Sequence, residues 1–192
     1  MPLTIEQRLR HLQRANELAR GAIAKGRHPF AAVLVAADGD TVLLEQINVD
    51  SVNHAEAVLA RVAAHRFDAA TLWGCTLVTT VEPCAMCAAT QYWANIGGLV
   101  YGLSEEDLLQ ITGNHPDNPT LRMPCREVFA RGQKAIEVHG PVSGQQAEQQ
   151  AEQQADPHAE LRAELQAELQ ARLQAEIAAV HATFWPSRGP GA

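Results

Sequence analysis

Apolar and polar residues follow two alternating periods along the chain. Segment 5–22 carries apolar residues every three or four positions, and Thr4 with Gln7 three positions later matches a capping box, so a helix of about five turns is predicted. The same helical period returns over 54–65. It places His54 at or just before the start of a helix.

Extended segments lie between these helices. Val- and Leu-rich runs at 30–36 and 41–46 flank Asp38-Gly39, which predicts an antiparallel hairpin. Later segments alternate between the two types, with strands at 76–81, 98–101 and 135–138 and helices at 84–94, after 104 and at 125–131. This alternation favours parallel pairing, and the fold class is α/β, a three-layer α/β/α sandwich.

Composition changes near Gly140. Residues 143–192 are rich in Gln, Ala and Glu, which predicts a helical or partly disordered tail beside a folded domain at 1–142. Leu and Ile recur every four residues over 161–177, so the apolar stripe winds around a helix. A helix in solvent, or one docked on its own domain or on a partner subunit, is favoured over a long coiled coil. Phe184-Trp185-Pro186 is a candidate docking anchor.

Charge bears on the class of partner. Formal net charge is −7, from 15 Lys and Arg against 22 Asp and Glu, but residues 143–192 hold 7 of the acidic and 3 of the basic residues. Residues 67–121 contain neither Lys nor Arg, which disfavours nucleic acid as a partner near this part of the chain. The sequence has no apolar run of about 18 residues and no leader pattern, so a cytoplasmic protein without a membrane partner is expected.

Two short motifs contain candidate metal-binding and catalytic residues. His54-Ala55-Glu56 and Pro83-Cys84-Ala85-Met86-Cys87 each open a predicted helix, whose free N–H groups favour thiolates. One imidazole and two thiolates match a tetrahedral Zn²⁺ site with a position left for water. Glu56 is then placed to move a proton as the catalytic residue.

Other interpretations concern the cysteines. The Cys-x-x-Cys spacing also occurs in redox pairs, although the preceding Pro83 and the His-Ala-Glu motif favour a metal. A purely structural zinc needs a fourth protein ligand, which only Cys75 or Cys125 could supply among the remaining cysteines. Both lie among apolar residues and are expected to be buried thiols.

The two motifs together give the pattern H-x-E followed by P-C-x-x-C, which resembles the zinc-dependent cytidine and deoxycytidylate deaminase superfamily. Segments 26–35, 82–87 and 92–96, with Val100-Tyr101-Gly102, are most similar to the branch of guanine, cytosine and tRNA adenosine deaminases. The resemblance extends from about residue 6 to residue 140. It implies a central mixed five-stranded sheet and a homodimer.

The same resemblance implies roles for individual residues. His54, Cys84 and Cys87 match the zinc ligands, and Glu56 matches the proton shuttle. The residues that would contact a base are Asn48 (alternatively Asn53), Phe30, Trp93 and Asp107. Phe30 and Trp93 are alternatively core residues, and Asp107 is alternatively a helix N-terminal carboxylate.

The expected function is hydrolytic deamination of a small amino-substituted nucleobase or related heterocycle, with release of ammonia. A guanine-like purine is favoured, and a cytosine-like base is the other free base considered. The first alternative is a tRNA adenosine deaminase, and the second is a non-catalytic, zinc-stabilised interaction module.

Overall fold

The computed structural model describes residues 2–113, 115–142 and 159–187. Within these ranges it contains seven helices and five strands. The helices are α1 (Ile5–Ile23), α2 (Ala55–Arg66), α3 (Ala69–Trp73), α4 (Ala85–Trp93), α5 (Glu105–Thr112), α6 (Cys125–Ala130) and α7 (Ala159–Ser187). The strands are β1 (Ala31–Val35), β2 (Val42–Ile47), β3 (Thr76–Val81), β4 (Gly98–Leu103) and β5 (Glu137–His139).

The strands form one mixed sheet in the order β2-β1-β3-β4-β5. Strand β1 pairs antiparallel with both β2 and β3, whereas β3, β4 and β5 run parallel. The predicted hairpin and the predicted parallel pairing are therefore both confirmed. Parallel order places the carboxyl ends of β3 and β4 at one edge, and α4 and α5 begin just beyond them.

Helices cover both faces of the sheet. On one face, α2, α4 and α6 enclose a cluster that includes Leu59, Leu77 and Leu99. On the other face, α1, α5 and α7 pack around Leu12 and Ile177. This confirms the three-layer sandwich. The Thr4 and Gln7 capping box at the start of α1 is also present.

Helix α7 docks on its own domain, against α1, α5 and β4. Leu165 and Leu169 near its start are exposed, whereas Ile177 and Trp185 further along are buried. The winding stripe explains this change, because only its second half faces the domain. The predictions for 143–158 and 188–192 lie outside the described residues. None of the described helices is long and apolar enough to cross a membrane.

Trp185 anchors the end of α7. Its side chain is 1% exposed, and its Nε1 donates a hydrogen bond of 3.2 Å to His181 Nδ1. The indole ring also contacts His28, Phe30 and His115, with centroid distances of 4.8, 6.2 and 5.2 Å. The last turn of α7 is thus joined to the segment before β1 and to the loop that follows α5.

Replacing Trp185 by Ala is expected to lower the free energy of unfolding by about 3–5 kcal/mol, since a large buried side chain leaves a cavity. Urea unfolding followed by circular dichroism measures the change. Trp93→Ala is the matched control, because Trp93 is 79% exposed, and should change stability by less than about 0.5 kcal/mol. Equal transitions for the Trp185 variant and the wild type would show that α7 is not anchored there.

Candidate active site

Three side chains converge where α2 and α4 begin. His54 is the N-cap residue of α2, Cys84 is the N-cap residue of α4, and neither side chain caps its own helix. Cys87 lies in the first turn of α4. The ligand atoms of these three residues all lie within 4.8 Å of one another. The two helix starts therefore bring together the residues that the motifs predicted as ligands.

The distances fit a zinc ion. His54 Nδ1 lies 3.7 Å from Cys84 Sγ and 3.6 Å from Cys87 Sγ. Zinc bonds of about 2.3 Å to sulfur and about 2.0–2.1 Å to nitrogen, at tetrahedral angles, place sulfur and nitrogen about 3.6 Å apart. Among the described residues only these three form such a group, so a zinc ion here keeps a fourth position open. Cys75 and Cys125 are buried elsewhere.

The imidazole of His54 is oriented by the backbone. His54 Nε2 lies 3.1 Å from the carbonyl oxygen of Ser51. Because a carbonyl oxygen only accepts, Nε2 must carry the hydrogen, which leaves the lone pair of Nδ1 for a metal. The contact of Ser51 could not be predicted from the sequence, since a backbone contact leaves no signature in residue type.

The two thiols differ in acidity. The hydrogen bond from Cys87 lowers the pKa of the Cys84 thiol to about 4. The bond to Cys84, together with burial, raises the pKa of Cys87. The thiolate is the form of cysteine that ligates metals. The protein therefore stabilises this form at Cys84, next to the imidazole of His54.

Glu56 lies beside the metal ligands, in the first turn of α2. It is 5% exposed, and burial raises the pKa of its carboxyl group. Its Oε1 accepts a hydrogen bond of 2.7 Å from Thr79 Oγ1, and its Oε2 lies 3.6 Å from Cys87 Sγ. A carboxylate in this environment takes up a proton readily, which suits a general base that later acts as an acid.

A cavity of about 220 Å³ opens beside these residues. Of the predicted base-contacting residues, Phe30 and Asn48 line it. Asn48 Nδ2 donates a 3.1 Å hydrogen bond to the Asp50 carbonyl, which fixes the amide. The amide of Asn53 instead binds the Asp50 carboxylate. Asn48 therefore lines the cavity, whereas Asn53 does not.

Trp93, predicted as a base-contacting residue, does not line this cavity. It is the last residue of α4, 79% exposed, and packs on Tyr92 with ring centroids 5.4 Å apart. The zinc ligand Cys84 caps the opposite end of the same helix. With a rise of about 1.5 Å per residue, the helix places Trp93 more than 10 Å along its axis, which explains the separation.

Three consecutive acidic residues at the start of α5 have different roles. Asp107 accepts a 2.7 Å hydrogen bond from Ser104 Oγ in a capping box and does not line the cavity. Glu106 pairs with Arg122 at the surface, with an Oε2 to Nη2 distance of 3.0 Å. Glu105 lines the cavity. Burial and the negative charges of Cys84 and Glu82 raise the pKa of Glu105 to about 7.

Glu82 joins the cavity wall to two helices. Its Oε1 accepts a 2.9 Å hydrogen bond from the backbone N–H of Cys125, and its Oε2 accepts one of 3.3 Å from the N–H of Glu105. These N–H groups open α6 and α5, whose termini favour a negative charge. Glu82 therefore holds two helix starts in place next to the Pro-Cys-x-x-Cys motif.

Known proteins share this sequence pattern. The model of the cytidine and deoxycytidylate deaminase zinc-binding region matches residues 5–103. A probable cytosine deaminase from Schizosaccharomyces pombe is 32% identical over 147 residues, which cover 74% of this chain and 88% of that protein. The guanine deaminase of Bacillus subtilis is 37% identical over 101 residues, which cover 50% of this chain and 64% of that protein.

The fold is shared with a solved structure. Guanine deaminase from Nitrosomonas europaea superposes with a TM-score of 0.53 at 22% identity, covering 88% of this chain and 83% of that one. The family match confirms the resemblance predicted from the two motifs, and with it zinc as the metal of the His54, Cys84 and Cys87 group. The chain therefore belongs to the cytidine and deoxycytidylate deaminase family of zinc-dependent hydrolytic enzymes.

Proposed function

We propose that this deaminase acts on guanine or a closely related purine base and releases ammonia. The observation that carries this proposal is the Glu105 carboxyl at the cavity wall, close to Glu56. Within the described part of the chain it accepts no hydrogen bond. Guanine presents ring and amino N–H donors, and a carboxylate that accepts them would orient the base.

The residues around the cavity have distinct tasks in this reaction. His54, Cys84 and Cys87 would hold the zinc ion, which when bound would supply the Lewis acidity that makes water a better nucleophile near neutral pH. Glu56 accepts a proton from the attacking water and passes it to a ring nitrogen. It then delivers the second proton to the departing amino group, so that the ring carbon gains an oxygen as ammonia leaves. Phe30 offers a flat face to the ring.

A free base suits the cavity better than an RNA does. Of the described residues that line it, none is Lys or Arg. An enzyme that binds a nucleic acid is expected to contact phosphates near the site. Glu56, Glu82 and Glu105 line the cavity instead, and none of these side chains attracts a phosphate group.

Cytosine is the second candidate substrate. The specific observation in its favour is the probable cytosine deaminase from Schizosaccharomyces pombe, which matches this chain over most of its length. The two candidates differ in the ring that Glu105 would contact, because guanine carries additional N–H donors.

Ammonia release from guanine, cytosine, adenine and an adenosine-containing anticodon stem-loop separates the candidates. We expect the highest kcat/KM with guanine. Glu105→Gln should lower that value by about 10-fold to 100-fold, as expected for loss of a hydrogen bond to a charged group. Glu106→Gln, which changes the neighbouring exposed carboxylate, is the matched control and should retain the wild-type value.

Two outcomes would contradict the proposal. Turnover of the stem-loop without turnover of any free base would show that the substrate is RNA. Equal guanine kcat/KM for the Glu105→Gln and Glu106→Gln variants would remove Glu105 from substrate recognition.

A further inference from the structure

Thr79 is a polar residue in the middle of the buried strand β3. It is 0% exposed and lies opposite Ala32 in the antiparallel pairing with β1. Its neighbour on the same face of the strand, Leu77, belongs to the apolar cluster under α2 and α4. A Val would fill this position without a polar group, and a buried hydroxyl costs free energy unless it is hydrogen-bonded.

The hydroxyl of Thr79 has two acceptors and one proton. Its Oγ1 lies 2.7 Å from Glu56 Oε1 and 3.2 Å from the carbonyl oxygen of Ala31. An O–H group donates to one acceptor at a time, and distances of about 2.5–2.7 Å are typical of donation to a carboxylate. When Glu56 is ionised, the hydroxyl of Thr79 therefore donates its hydrogen to Glu56 Oε1, the nearer of the two acceptors.

This contact makes the two oxygens of Glu56 unequal. Oε1 faces the sheet and is held by Thr79, whereas Oε2 lies on the side of the metal ligands, 3.6 Å from Cys87 Sγ. We propose that Thr79 is a positioning residue, whose hydroxyl holds Oε1 so that Oε2 is the oxygen that exchanges protons with water and base. The inference rests on the deamination proposed above, but not on which base is used.

Thr80 provides an internal comparison. It follows Thr79 in β3, is also 0% exposed, and by strand alternation faces the opposite side of the sheet. Its Oγ1 is buried without a hydrogen-bond partner among the described residues. The two threonines therefore share burial and strand, and differ in whether the hydroxyl contacts Glu56.

Three variants test the role of the hydroxyl with the base that the wild-type enzyme deaminates best. Thr79→Val keeps the shape and removes the hydroxyl, and should lower kcat by about 10-fold to 100-fold with KM within about threefold. Thr79→Ser retains the hydroxyl and should recover kcat to within about threefold of the wild type. Thr80→Val should leave both constants unchanged. Zinc content and unfolding transitions are measured for every variant.

A crystal structure of the Thr79→Val protein gives a second readout, independent of substrate. We expect the Glu56 carboxylate to have rotated away from its wild-type orientation while the zinc ligands stay in place. An unchanged kcat in Thr79→Val, or a loss that Thr79→Ser does not recover, would overturn the positioning role. If the wild type prefers another base to guanine, the proposed substrate fails and this test still stands.

Discussion

Glu56→Gln is expected to lower kcat by about 10²-fold to 10⁴-fold while the protein keeps its zinc. The amide has the shape of the carboxylate but cannot accept a proton from water and pass it on. Because burial raises the pKa of Glu56, its charge costs free energy in the folded state, so the variant should be at least as stable as the wild type. Steady-state kinetics, metal analysis and thermal unfolding measure the three quantities.

Two results would contradict this role. A variant that retains more than about a tenth of the wild-type kcat would assign the proton transfer to another group. A variant that loses zinc would make Glu56 part of the metal site, and its loss of activity would then say nothing about proton transfer.

Cys87→Ala is expected to lower the affinity for zinc by at least about 100-fold and to abolish measurable deamination, since even residues that only support a ligand contribute about 10-fold to 100-fold. Metal analysis after dialysis should give about one zinc per chain for the wild type and almost none for the variant. Cys75→Ala is the matched control, because Cys75 is also buried and its thiol donates to the Thr71 carbonyl, away from the site.

The redox interpretation of the Cys-x-x-Cys motif predicts a different result. A protein purified without zinc, with Cys84 and Cys87 joined by a disulfide, would contradict the metal site. Thiol titration of the wild type under non-reducing conditions distinguishes the two states, since all four cysteines are free in the structure.

The sequence predicts the parts of the fold that depend on local signals. The Asp38-Gly39 turn between two apolar runs identifies the hairpin, and the position of His54 before an apolar helical repeat identifies the start of α2. Helix α3 (Ala69–Trp73) was not predicted, because five residues are too few for a repeat to show. Its N-cap, Asp68, is a local signal that could have indicated it.

Contacts between distant segments cannot be predicted from the local sequence pattern. Which of the three acidic residues at the start of α5 faces the cavity depends on the phase of the helix, and Ser104 sets that phase by capping with Asp107. Asp107 was predicted to contact the base, and the structure places Glu105 at the cavity. The docking of Trp185 against His28 joins residues far apart in the chain, so the sequence could only suggest an anchor.

The two hydrogen bonds of Glu82 connect the starts of α5 and α6 to the residue beside the zinc motif. The loop between α5 and α6 contributes Asp117, Asn118, Pro119 and Leu121 to the cavity. Because Glu82 fixes the start of α6 from a residue adjacent to the zinc motif, the loop can change sequence while its attachment stays with the metal centre. We therefore expect substitutions at 115–121 to reshape the cavity wall while the metal centre stays in place, which makes this loop the segment to randomise when selecting deaminases for new bases.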